Sequence, residues 1–178
     1  MPPMTPNERE CCKDIRQKDE LVRTFLHGGG LSDPPNPKQW LEYLCTIRAI
    51  LGNLNNSISF VATQLAKEYL ATQLYVSGFD AAEKAQGAPG LDIDIRDSDG
   101  RHIVAEIKTT VPYGQTDFGA AQKREFQKDF DKLKTSNATH RFMFVTDDRT
   151  FELLQSKYAP RIPGVRVVNS VSGAEHQA

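Results

Sequence analysis

The sequence predicts an α/β fold: a central mixed β-sheet flanked by helices, with a helical extension before it. Three observations carry this expectation. Residues 90–108, GLDIDIRDSDGRHIVAEIK, alternate apolar and polar side chains with the period of a strand on both sides of a tight turn. From residue 57 onward the patterning runs helix, short strand, hairpin, helix, strand, helix, strand, and such alternation suggests a mixed sheet with helices on both faces. The segment HGGGLSDPPNPK, residues 27–38, is a Gly/Pro-rich break that divides a charged leading region from the rest.

The elements follow in order. Residues 1–7 lack patterning and read as a disordered lead. Residues 8–26 (ERECCKDIRQKDELVRTFL) read as a highly charged helix. A second helix runs from Pro37, which suits a first-turn position, to Leu51, and Gly52 with the Asn-rich run after it ends it. Ser57 suits the cap of a third helix over 57–76, which stops before Gly78. A short strand is expected over Phe79–Lys84, then the hairpin, then a loop, TTVPYGQTDFG. Residues 118–134 form a helix with Phe126, Phe130 and Leu133 on one stripe. RFMFVT, 141–146, is an interior strand. Asp147 or Asp148 caps a helix over Thr150–Tyr158, and 164–171 is a last strand. The expected domains are a helical extension over 1–56, serving dimerisation or DNA contact, a core over 57–171, and a flexible tail over 172–178.

Composition bounds the function. The chain has 178 residues, enough for one domain with a real core. A formal net charge of −1 gives no global basic field, so a nucleic-acid partner must be held by a local patch. No apolar run is long enough to span a membrane, and the first residues lack a signal-peptide core. Three cysteines, two of them adjacent at Cys11 and Cys12, make a poor disulfide framework and point to a reduced, cytoplasmic setting. They have no second Cys/His pair at ligand spacing to form a metal site with them.

The hairpin carries the chemistry. Asp92, Asp94 and Arg96 alternate with Leu91, Ile93 and Ile95. After the turn at Asp99-Gly100, Val104, Glu106 and Lys108 alternate with Ile103, Ala105 and Ile107. Asp92, Glu106 and Lys108 therefore share one sheet face. Two carboxylates offer the hard oxygen ligands that Mg²⁺ prefers, and the Ile107 carbonyl adds another. Lys108 on the same face can reach both water and phosphate. Asp94 points the same way and is an alternative ligand. His102 shares the face too and reads as a bystander. The plain alternative is an exposed polar face with cross-strand ion pairs.

Neighbouring elements add groups. Glu68 falls in the stripe of Val61, Leu65, Thr72 and Tyr75, which would make it an inward acid needing a partner or a metal. Gln122 lies four before Phe126, an inward amide at a helix start suited to water or phosphate. Lys123, Arg124 and Lys128, with Thr109, Thr110, Tyr113 and Gln115, compose the expected DNA-facing surface. Glu125, Asp129 and Asp131 interleave with the basic residues, so Lys132 and Lys134 read equally as a solvated face.

These residues together resemble the PD-(D/E)xK nuclease superfamily, which includes many restriction endonucleases. The matching elements are Gly90-Leu91-Asp92-Ile93-Asp94, a polar turn, and Glu106-Ile107-Lys108 as the ExK element. Leu91 stands where the superfamily often has proline. The resemblance covers roughly 57–146 and implies a restriction-endonuclease-like αβββαβ core. It further implies Asp92 and Glu106 as metal ligands, Lys108 as the catalytic lysine and Glu68 as an auxiliary acid. The expected function is a Mg²⁺-dependent DNA endonuclease of restriction type, with Mn²⁺ able to substitute, leaving 5′-phosphate and 3′-hydroxyl ends. Double-stranded DNA is the expected partner, and cutting both strands favours a homodimer. A repair or junction-resolving nuclease of the same fold and a non-catalytic nucleic-acid-binding module are the alternatives.

Overall fold

Strand β1 (Ile93–Arg96) runs antiparallel to β2 (His102–Lys108), with Ile93 opposite Ala105 and Arg96 opposite His102. This is the expected hairpin, in the expected phase. Its turn is held by Asp97, whose carboxylate accepts from the N–H groups of Asp99 and Arg101, while Gly100 takes a φ of 78° that suits glycine. The computed structural model describes residues 2–28, 36–76, 78–84, 87–114 and 116–178. Most of the expected 27–38 linker, and Gln115, fall outside them.

Strand β2 then pairs in parallel with β3 (His140–Val145), β3 in parallel with β4 (Arg166–Asn169), and β4 antiparallel with β5 (Glu175–Gln177). The result is a mixed five-stranded sheet whose spatial order repeats the chain order. The parallel step from β2 to β3 needs a crossover, which α4 (Ala120–Thr135) supplies.

Each sheet face is covered, which makes the domain a three-layer α/β structure. On one face Ile93, Ile103, Ala105, Phe142, Phe144 and Val168 pack against Ala66 and Leu70 of helix α3 (Leu54–Leu74). On the other, Val104, Met143, Val145 and Val167 pack against Phe126, Phe130 and Leu133 of α4. Phe118 stacks on Phe126 with ring centroids 4.3 Å apart. Each such apolar side chain taken fully from water contributes about 1.5–3 kcal/mol. Helix α5 (Asp148–Leu153) completes this face, with the Asp147 carboxylate accepting from the Thr150 N–H as its cap. A π-helical turn, 154–158, and a 3₁₀ turn, 159–161, follow it.

The leading region is helical as expected. Helix α1 (Pro6–Gly28) begins two residues before its expected start, because Thr5 and Glu8 form a reciprocal capping box: the Glu8 N–H donates to the Thr5 hydroxyl, and the Thr5 N–H donates to Glu8 Oε2. Helix α2 (Pro37–Leu51) has the same device at Asn36 and Gln39, with Pro37 in its first turn. Helix α3 starts at Leu54, ahead of the cap expected at Ser57, so Ser57 lies inside it. No helix among the described residues is long and apolar enough to cross a membrane.

Two expectations are corrected. The strand expected over Phe79–Lys84 does not form, so two strands rather than three precede α4. The donors are engaged elsewhere: the Ala81 N–H donates to Glu8 and the Ala82 N–H to the side chain of Asp80, which takes them out of any ladder. The tail expected over 172–178 is not loose, for it contains β5. Buried Asn169 organises the turn before it, accepting from the N–H groups of Val171 and Ser172, and Ala178 exchanges backbone hydrogen bonds with Gly164 and Val165.

Candidate metal and catalytic site

Continuing the hairpin register one step past Ile93 and Ala105 sets Asp92 across from Glu106. The alternation of β2 sends Val104, Glu106 and Lys108 to the α4 face, and both carboxylates meet there at the end of the hairpin. Asp92 is exposed, and its Oδ2 accepts from the Ile107 N–H at 2.8 Å. Within a strand the N–H and C=O of one residue point the same way, so the Ile107 carbonyl lies on the Asp92 side too. Glu106 is only 2% exposed. Burial, together with the negative charges of Asp92 and Asp129, pushes its carboxyl up to about 8.

Helix α4 brings two groups, Asp129 and Lys132, that the sequence reading did not place in this cluster. Asp129 is buried, and Lys108 forms an ion pair with its Oδ2. Lys132 donates to Glu106 Oε1 at 3.0 Å, to Asp129 Oδ1 at 3.0 Å and to the Gly90 carbonyl at 3.2 Å. Gly90 has a φ of 91°, a conformation side chains rarely adopt. Lys108 also lies 5.8 Å from the centroid of the Phe126 ring. One signal in the sequence marks Asp129: it sits three after Phe126 and four before Leu133, on the apolar stripe itself.

Asp94 is the alternative that geometry separates from this cluster. It is exposed and takes a 2.7 Å contact from His102 Nε2, its neighbour across the hairpin on the same face. His102 is thereby its partner rather than a bystander.

Glu68 is a correction. Helix α3 covers the opposite face of the sheet, and its inward positions are Ala62, Ala66, Lys67 and Leu70. The stripe read as inward is the outer one, with Val61 45% and Tyr75 86% exposed. Glu68 is half-buried on the flank of that helix and does not join Asp92 and Glu106. The inward charge on α3 is its neighbour Lys67. Its ammonium bonds Glu8 Oε1 at 2.7 Å, with the two side chains 2% and 0% exposed. That oxygen also accepts from the Ala81 N–H, and Glu8 Oε2 from Thr5. Burial raises the Glu8 carboxyl, but the Lys67 pair and these N–H bonds outweigh it and hold it below the ordinary 4.5.

The expected nucleic-acid surface is partly assembled. A cleft of about 290 Å³ opens beside Lys108, lined by Thr110, Tyr113, Gln122, Arg124 and Phe126 among others. Tyr113 is 86% exposed, and Arg124 lies on the exposed side of α4. Thr109 is half-buried at the end of β2. Lys123 pairs with Asp117 at 2.7 Å, so its charge is largely offset. Gln122 is inward as expected, but its amide serves the loop. Its Oε1 accepts from the N–H groups of Tyr113 and Gly119, and its Nε2 donates to the Val111 carbonyl. Gln122 thus holds the loop that forms one wall of the cleft. The Thr150 hydroxyl, donating to the Thr110 carbonyl, and the Tyr158 hydroxyl, donating to Asp117, fasten the same loop from α5 and the π turn.

The donor set suits a hard, oxygen-preferring cation. It offers Asp92, Glu106 and the Ile107 carbonyl, with open sides for the waters that Mg²⁺ retains. Burial and the neighbouring carboxylates both disfavour a charged Glu106, and a dication held there would offset that. Among the described residues, no group of three or more His, Cys, Asp or Glu side chains is arranged to hold a metal ion, so backbone and water would have to complete the shell of any ion held here. Comparison with protein-family models, curated proteins and solved structures returns no match for this chain.

Proposed function

We propose that the chain is a Mg²⁺-dependent DNA endonuclease of restriction type, with a restriction-endonuclease-like core. The observation that carries this reading is the meeting of Asp92 and Glu106 at one end of a hairpin, with Lys108 on the same face and a cleft beside it. Asp92, Glu106 and the Ile107 carbonyl would hold Mg²⁺, or Mn²⁺ in its place. When bound, the ion supplies Lewis-acid polarisation of the phosphate and an activated water.

The chain's own residues supply the rest. The Lys108 ammonium faces the cleft, where it neutralises charge that develops on the phosphate oxygens. Asp129, buried behind it, keeps that ammonium from swinging away. Arg124 and Tyr113 border the cleft and offer a backbone contact and an aromatic face to DNA. Water attacks phosphorus, the bond to the 3′-oxygen breaks, and the products are a 5′-phosphate and a 3′-hydroxyl. Two copies of the chain supply two such sites for cutting both strands of a duplex.

The test is incubation of plasmid DNA with and without Mg²⁺, beside Glu106→Gln and Lys108→Ala. Wild type yields discrete fragments only with the metal. Each variant loses at least about 100-fold of the cleavage rate, as expected for removal of a group that stabilises transition-state charge. Equal cutting by Lys108→Ala removes its role, and equal cutting by both variants ends the reading.

A further inference from the structure

Lys132 occupies the position of a cation. Its ammonium has three N–H groups and meets three oxygens: Glu106 Oε1, Asp129 Oδ1 and the Gly90 carbonyl, at 3.0, 3.0 and 3.2 Å. Two of these are buried carboxylates from different elements, and the third is a backbone carbonyl presented by a left-handed glycine. The ammonium is therefore fully coordinated within an oxygen cage. The cage shares an oxygen, Glu106 Oε1, with the site proposed for the divalent ion.

We propose that Lys132 is a resident counter-cation of this site, which a divalent ion must displace from Glu106 in order to bind. The inference rests on the metal reading given above. Glu106 is fixed by burial in the central sheet, whereas the Lys132 side chain is 40% exposed on the last turn of α4. The lysine is the partner free to leave. A dication seated against the same carboxylate repels the ammonium at close range, where solvent screens little. Once released, the stem can swing to solvent, and Asp129 keeps its hold on Lys108 through its other oxygen. Lys132 thus acts as a positioning residue that neutralises the acids until the metal arrives. Its departure couples metal loading to a change in charge beside the cleft.

The experiment measures Mn²⁺ binding by the full chain from the electron paramagnetic resonance of the free ion, in wild type and three variants. Lys132→Met should bind Mn²⁺ about tenfold more tightly than wild type, an ordinary size for coupling between two sites. Lys134→Met, which removes the same charge from an exposed position in the same turn, reports the long-range electrostatic share and should stay within about twofold. Glu106→Gln should lose the binding. An affinity of Lys132→Met no tighter than that of Lys134→Met overturns the displacement. Absence of Mn²⁺ binding in wild type and in Lys132→Met alike overturns the metal reading itself, and the displacement falls with it. A second measurement needs no variant. With ¹⁵N-labelled lysine, a protected Lys132 ammonium signal should be present without metal and vanish on adding Mg²⁺, while the Lys108 signal persists. A Lys132 signal that survives saturation with Mg²⁺ overturns the proposal.

Discussion

Two ionic clusters, each with buried members, lie on opposite sides of the sheet and are built on opposite principles. Beneath α3, Glu8 and Lys67 form a neutral pair in which both carboxylate oxygens are satisfied, by Lys67 and Ala81 on one and by Thr5 on the other. Beneath α4, Asp92, Glu106 and Asp129 gather around Lys108 and Lys132, three acids to two lysines, and burial with the charges of Asp92 and Asp129 pushes Glu106 up to about 8. The first cluster fastens an N-terminal helix to the core. The second crowds three acids around two lysines, the arrangement proposed above to take a cation. The ratio of acids to lysines, rather than burial, separates the two clusters.

Breaking each cluster gives opposite signs. Lys67→Met leaves the Glu8 charge buried without its counter-ion and should cost about 3–5 kcal/mol in urea unfolding. The double variant Glu8→Leu/Lys67→Met should recover only part of that loss, since an apolar pair can replace a buried ion pair but leaves the Ala81 and Thr5 N–H groups without their acceptor. Glu106→Gln should instead stabilise the metal-free protein at pH 8 by on the order of 2 kcal/mol, because it removes one of three adjacent charges. A loss of stability there would place the two clusters in one class.

The pH dependence separates them again. Glu8 has a lowered pKa in the folded state, so its contribution is present above the ordinary 4.5 and is lost as pH falls below it. Glu106 has a raised one, so its penalty is absent below 4.5 and grows as pH rises through that value to about 8. Urea midpoints followed from pH 3 to 9 should therefore rise and then decline in wild type. Glu106→Gln should flatten the alkaline decline alone.

Smaller effects complete the ordering. Gln122→Ala leaves the Val111 carbonyl and the Tyr113 and Gly119 N–H groups without their partner, at about 1–2 kcal/mol. Its larger signature should be faster amide exchange across 111–119. Lys13→Ala removes an exposed pair with Glu10 and should change stability by less than about 0.5 kcal/mol.

The hairpin and its phase were legible because strand alternation is strict and both faces of β2 are buried, which leaves one consistent register. Helix α2 was legible from Pro37, and α4 from its phenylalanine stripe. Helix α3 misled because apolar side chains lie on more than one of its sides: Phe60, Ala62, Ala66 and Leu70 are buried, Leu65 is half-buried and Val61 is exposed. A stripe drawn through Val61 and Leu65 turns that helix the wrong way and puts Glu68, rather than Lys67, inside. Asp129 and Lys132 were hidden for another reason. A charged residue on a helix looks like noise until its partner appears across the fold: Lys108, 21 positions before Asp129, and Glu106, 26 positions before Lys132. The strand missing over 79–84 depends on Glu8, more than 70 residues away, capturing the Ala81 N–H. No local pattern records such a capture.

The spatial order of the strands has a consequence for how the molecule comes into being. Every group of the proposed metal site, from Gly90 to Lys132, belongs to one unbroken run of chain through β1, β2 and α4. A chain emerging from the ribosome as far as Thr135 already carries all of them, and only short loops need closing to bring them together. Strands β3 to β5 come last, as a splint laid along a site whose parts are already in hand.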